Sequence, residues 1–177
     1  VRGSIPLGST NFFKMKKSIS LIGMAGAGKS SIGKKLAKHL ELDFIDSDLL
    51  IEASQKKSLQ EVLVENGVEK FKKLEEAALL SVVFNKTILA TGGSAIFSKD
   101  AMSYIKTNSS VIYIEVPFEN ILDRVQNFNE RGFIKDPSQS IYSAFKDREI
   151  LYKKSADHIV QNSGEIQSCF QQILDIF

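Results

Sequence analysis

Gly23-Met24-Ala25-Gly26-Ala27-Gly28-Lys29-Ser30 places a lysine and a hydroxyl residue directly after two glycines that stand five positions apart. That spacing is the P-loop signature, and each residue type in it has a physical task. Glycines at 23, 26 and 28 let the backbone curl so that its N–H groups point inward at phosphate oxygens, where a side chain would block the bend or the approach. Met24, Ala25 and Ala27 contribute backbone to the same ring. Lys29 is expected to reach the β- and γ-phosphates, and the Ser30 hydroxyl to hold a Mg²⁺ ion bridging them, with Ser31 next in the phosphate site. A helix starting here adds its positive end to the same anion.

The flanks suit the motif. Ile19-Ser20-Leu21-Ile22 reads as a buried strand, and from Ser31 to Leu40 the residues Ile32, Leu36 and Leu40 fall on one helical face. A glycine-rich strand-to-helix turn without a ligand is the alternative, and the matching context on both sides argues against it. The stretch therefore predicts a nucleoside-triphosphate site.

Outward from the loop, short apolar strands alternate with helices. Leu42 to Asp48 reads as a second strand ending in two aspartates, with a helix from Leu49 and a break at Lys56-Lys57. Ser58-Leu59-Gln60-Glu61 is a capping box for a further helix that Gly67 closes, and Phe71, Leu74, Ala78 and Leu79 carry the next helical period. Thr87 to Ala90, Val111 to Ile114 and His158 to Val160 are three more strands. Helices are expected at Lys99–Lys106, Phe118–Gln126, Ile141–Lys154 and Glu165–Ile176. This alternation means an α/β protein, a five-stranded parallel sheet between two helical layers. Ligands of such sheets bind at the carboxyl ends of the strands, where the P-loop, Asp46/Asp48 and Thr91-Gly92-Gly93 all lie.

Composition narrows the class. The 177 residues are 43% hydrophobic and 25% charged, which suits one folded domain with a proper core. A formal charge of +2 without a basic stripe gives no reason to expect a nucleic-acid partner. No apolar run approaches membrane-spanning length, so no membrane partner is expected either. Cys169 is the only cysteine, which excludes an internal disulfide framework and suits a cytoplasmic location. Val1 to Lys14 reads as a leader added for expression, with Met15 as the native start. The expectation is a single monomeric domain over residues 15–177, carrying a lid at about 127–138.

Several residues are candidates for chemistry. The third strand ends without the acid that usually accompanies a P-loop metal, which leaves Asp46 for that place. Asp48, two residues on, can face the same crevice and deprotonate an accepting hydroxyl; its alternative role is N-cap of the helix at Leu49. Gly92-Gly93 lets backbone N–H groups approach a substrate, or is an ordinary tight turn. Arg131, in the polar stretch Asn127 to Ser138, can close over a triphosphate and exclude water, or remain a solvated loop arginine. Arg148 stands between Asp147 and Glu149 and on its own reads as a surface arginine paired with one of them.

Taken together, Gly23 to Ser30, Phe44 to Asp48, Phe71-Lys72-Lys73-Leu74-Glu75, Thr91-Gly92-Gly93, Arg131, and Arg148 with Tyr152 resemble the shikimate kinase family from Met15 onward. The resemblance implies the P-loop NTPase fold of the nucleoside-monophosphate-kinase type and transfer of a phosphoryl group from ATP to the 3-hydroxyl of shikimate. The product would be shikimate 3-phosphate, on the chorismate route to aromatic amino acids. It assigns Ser30 and Asp46 to Mg²⁺, Asp48 to the accepting hydroxyl as base, and Arg124 to the adenine. Arg148 then grips the substrate carboxylate, displacing the surface reading, with Lys72, Gly92 and Gly93 also on the acceptor. The chain departs from the family pattern at four positions. Lys72 replaces an arginine, Val68 a glutamate, Ser94 the third glycine, and Gly132 the proline after the lid arginine. Kinases for another hydroxylated acid such as gluconate, and an ATP-binding protein without a productive acceptor site, are the rival readings.

Overall fold

Strands β1 (Ile19–Ile22), β2 (Asp43–Asp46), β3 (Thr87–Ala90), β4 (Ser110–Glu115) and β5 (His158–Gln161) form one sheet in the order β2-β3-β1-β4-β5. Every pairing is parallel. The computed structural model describes residues 18–126, 128 and 133–177. The expected leader, Met15, Arg131, Gly132 and part of the expected lid lie outside the described residues.

Alternation along each strand creates the three layers. Ile19 and Leu21 of β1 join Ile88, Ile112 and Ile114 in one cluster, while Ile22, Leu89, Val111 and Tyr113 join the cluster on the opposite face. The first face is covered by α1 (Lys29–Leu40), through Ile32 and Leu36, and by α7 (Ile166–Leu174), through Phe170 and Ile173. The second is covered by α4 (Lys99–Asn108), through Met102 and Ile105, and by Leu79 of α3 (Leu59–Leu80). Both central strands β1 and β3 are buried at every position. Such strands read as continuous apolar runs, which is why the sequence exposes them so plainly.

A smaller apolar cluster stands apart from the sheet. It joins Ile51 of α2 (Ser47–Gln55) to Leu59, Val62 and Phe71 of α3 and to Ile134. Gly67 interrupts α3 with φ 72° and ψ 169°, a conformation open to glycine, so the segment is two helices meeting at a kink. The remaining helices are α5 (Phe118–Arg124) and α6 (Ile141–Ser155).

One local expectation is corrected. Helix α2 begins at Ser47 rather than Leu49, and its N-cap is Asp46, whose Oδ1 accepts the Asp48 N–H at 3.1 Å. Asp48 is thus not the cap, and β2 stops two residues short of it. The reason is geometric: the cap must be extended, and Asp46 has φ −118° and ψ 118°.

The Ser58 capping box closes in both directions, with Glu61 N–H on Ser58 Oγ at 3.3 Å and Ser58 N–H on Glu61 Oε2 at 2.8 Å. Ser58→Ala is expected to lower the melting temperature by about 2–4 °C, the usual loss for one cap in a chain of this length. Calorimetry on the two proteins checks it, and equal melting temperatures would contradict a stabilising cap.

Candidate active site

The loop from β1 to α1 behaves as its sequence requires. Gly28 adopts φ 93° at the N-cap of α1, and a side chain there would meet the Asn162 amide at 2.9 Å. Lys29 is buried, and its ammonium donates to the carbonyls of Gly23 and Met24 at 2.7 and 2.8 Å. These bonds hold the charge at the mouth of the loop. Ser30 donates its hydroxyl to Asp46 Oδ2 at 2.6 Å. Asp46 therefore serves two structures, capping α2 with one oxygen and touching the P-loop with the other.

A cleft of about 280 Å³ opens over this loop and is lined by Lys29, Ser30, Asp48, Gly93, Arg124 and Arg148, among others. Residues from five separate parts of the sequence thus meet at the carboxyl edge of the sheet. Gly92 and Gly93 enter as the turn after β3. Gly92 N–H donates to Ser47 Oγ at 2.8 Å, and Gly93 O accepts from the Tyr152 hydroxyl at 2.6 Å. Tyr152 is fully buried, stacks on Tyr113 with centroids 5.1 Å apart, and its phenol is pushed well above its usual range by burial. It stays a hydrogen-bond donor and fixes the turn.

Arg148 is 3% exposed, so the surface reading suggested by its acidic neighbours does not describe it. Its guanidinium donates to the backbone carbonyls of Ala144, at 3.2 Å, and Ile134. Burial works against its charge, and the nearby Tyr152 and Glu75 favour it. Lys72 sits elsewhere: half exposed, bonded to Glu69 at 3.2 Å, and facing side cavities that also touch Glu75 or Arg148. Arg124 donates to Asn162 O at 3.0 Å. Arg131 lies outside the described residues. Within the stretch expected to form a lid, the described residues are packed, with the Phe128 and Phe133 rings 5.2 Å apart and Ile134 buried in the small cluster.

Two participants were not assigned roles from the sequence. Glu75 is 4% exposed on α3 and accepts hydrogen bonds from the Ser94 hydroxyl and N–H. A side chain on Gly92 would collide with both Glu75 Oε1 and Asp48 Oδ1, so the two carboxylates converge over that glycine. Burial first, and the Asp48 charge second, push Glu75 up to about 7. Its signal was present: Phe71, Glu75 and Leu79, all buried, recur at a spacing of four, which puts a carboxylate on the apolar face. Asn162 follows β5, and its amide donates to Ala27 O at 2.8 Å, bracing the P-loop from below.

The fold and this site define a P-loop kinase of the three-layer α/β/α type. The family model described as shikimate kinase matches residues 25–177, and the chain belongs to that family. A shikimate kinase from Clostridium botulinum is 34% identical over 163 residues, which cover 92% of this chain and 98% of that protein. A solved shikimate kinase from Acinetobacter baumannii, in complex with shikimate, aligns with TM-score 0.81 at 29% identity over 90% of this chain and 91% of its own. A gluconokinase from Sinorhizobium meliloti, 14% identical with TM-score 0.52 over 91% of each chain, shares the fold alone.

Glu75 gives a pH test with a definite sign. Unfolded, it titrates near the ordinary 4.5; folded, near 7. Between these values the native state binds more protons, so this group makes stability fall as pH rises through the window. Glu75→Gln is expected to remove that fall, so the variant gains on the wild type between about pH 5 and about pH 8. Urea unfolding at both pH values measures it, and a pH-independent difference would refute the raised carboxyl.

Proposed function

We propose that the chain transfers the γ-phosphoryl group of ATP, with Mg²⁺, to the 3-hydroxyl of shikimate. The observation that carries this reading is one cleft holding the P-loop lysine, an acid at the acceptor end and a buried guanidinium beside it. Family membership supplies the rest of the support.

The residues fit Mg²⁺. Ser30 and Asp46 offer an alcohol and a carboxylate oxygen in direct contact at the loop mouth, which is the hard, sparse donor set that ion takes from protein when phosphates and water supply the remainder. Among the described residues no three acidic, histidine or cysteine side chains gather as a metal cage. When bound, the ion would neutralise charge on the phosphate oxygens. Lys29 and the N-terminus of α1 place positive charge on the transferring group. Arg131 is proposed to add a guanidinium there as the lid closes, and Arg124 to lie against the adenine.

At the acceptor end Arg148 binds the carboxylate, and Asp48 receives the hydroxyl proton as that oxygen attacks phosphorus. Glu75, protonated at neutral pH for much of the time, lowers the repulsion that a second ionised carboxylate would impose on Asp48. Gly92 lets Glu75 and Asp48 approach each other over the turn, and Gly93 lines the cleft where the acceptor would lie. The cytoplasm and a monomeric state are the proposed setting.

ADP release measured with shikimate, quinate and gluconate tests the assignment, with turnover expected for shikimate alone. Lys29→Met should lower turnover by at least about ten- to a hundred-fold. Asp48→Asn should lower turnover with ATP affinity unchanged, as read by nucleotide titration. Equal turnover with gluconate, or an Asp48→Asn enzyme as fast as wild type, would overturn the reading.

Lys72 offers a finer test. A lysine provides a point charge where the family pattern has a planar fork, and its amino group here is shared with Glu69. Lys72→Arg is expected to lower the KM for shikimate by roughly ten-fold with little change in kcat, the difference of one charge-assisted hydrogen bond. A higher KM would mean that the pocket is shaped for another acid.

A further inference from the structure

Arg148 is held in an unusual way. Its guanidinium carbon stands 4.3 Å from the centroid of the Phe133 ring and 5.0 Å from that of Phe97. Two backbone carbonyls take its terminal N–H groups, and among the described residues its buried Nε has no hydrogen-bond partner and its charge no ion pair. A buried cation held mainly by rings and neutral oxygens keeps a strong attraction for an incoming anion.

Phe97 is the informative half of this arrangement. It ends the short 3₁₀ turn Ala95–Phe97, directly after the glycine turn. Ala95 and Ile96 are buried in the core, whereas Phe97 is 43% exposed. Its backbone is fixed, with Phe97 N–H on Ser94 O at 3.0 Å and Ser98 capping α4. The ring thus stands outside the core clusters, on a backbone anchored next to the glycine turn, with the Arg148 guanidinium over it.

We infer that Phe97 is a positioning residue for acceptor binding, setting the plane of the Arg148 guanidinium. The inference rests on the proposed role of Arg148 toward the substrate carboxylate. A bidentate carboxylate must lie in the plane of the fork, so a stacked ring converts a rotatable cation into one with a fixed edge. The ring also keeps water off that face, which strengthens the contact to the anion. Removing it leaves the nucleotide end untouched, so the cost falls on acceptor binding alone.

The experiment is steady-state kinetics of Phe97→Ala, Phe97→Leu, Phe97→Tyr and Arg148→Lys with shikimate and ATP, with melting temperatures alongside. Phe97→Ala is expected to raise the KM for shikimate by about three- to thirty-fold, the range of a partly desolvated cation–π contact. The KM for ATP and kcat should move less than two-fold or so on the same principle of a local loss. Phe97→Tyr keeps the ring face and should restore the wild-type KM; Phe97→Leu keeps only bulk and should not. An unchanged shikimate KM in Phe97→Ala, an equal rise in the KM for ATP, or full rescue by leucine overturns the inference. Arg148→Lys separates the two levels. If it leaves the shikimate KM unchanged, the reading of Arg148 fails; if it raises that KM while Phe97→Ala does not, only the role of Phe97 falls.

Discussion

A parallel sheet buried on both faces leaves its polar groups one way out, the strand ends. β1 and β3 have no exposed position, and any charge placed within them would lose its hydration without a partner. Chemistry is therefore confined to the residues that follow each strand. The P-loop follows β1, Asp46 ends β2 with Asp48 two residues on, the glycine turn follows β3, and Asn162 follows β5. Helix α6 brings Arg148 and Tyr152 across the same edge, and Tyr152 is bonded to Gly93. The site is where the sheet's burial forces polar residues to collect.

That confinement explains the charges inside the site. Arg148 and Glu75 are both nearly inaccessible, and each alone would be costly. Glu75 favours the Arg148 charge, and Arg148 in turn lowers the Glu75 carboxyl slightly against the larger effect of burial. No hydrogen bond or ion pair among the described residues joins them, so they act on each other through charge across space. A field of this kind leaves the guanidinium edge available to a carboxylate, where a tight ion pair would have occupied it.

Much of this was legible in the sequence, for identifiable reasons. The P-loop is local: its spacing, strand and helix are contiguous, so no tertiary information was needed to find it. The inner strands β1, β3 and β4 were legible as short, mostly apolar buried segments, and the edge strands β2 and β5 by their apolar pairs Phe44-Ile45 and Ile159-Val160 between helical stretches. Tertiary placement was harder to read. Arg148, between Asp147 and Glu149, has the local pattern of a surface residue, and only the packing of α6 against Phe97 and Phe133 buries it. Asp46 and Asp48 differ by which one is extended, a matter of a helix beginning two residues earlier than its sequence suggests. Glu75 hid within an otherwise good amphipathic stripe.

Two departures from the family pattern meet at one point. Ser94 stands where the pattern has a glycine, and it donates both hydroxyl and N–H to Glu75. Lys72 stands where the pattern has an arginine, and its amino group is turned to Glu69. A glycine would supply only the N–H, so the serine adds one donor to a buried carboxylate. An arginine on α3 would supply a fork near the same carboxylate; the lysine supplies less. The hydroxyl gained on one side of Glu75 thus offsets a donor lost on the other, and the carboxylate keeps its place against Asp48 over Gly92. What the exchange does not return is a second planar cation on α3, so on the proposed reading Arg148 and the rings that hold it carry the larger share of anion recognition.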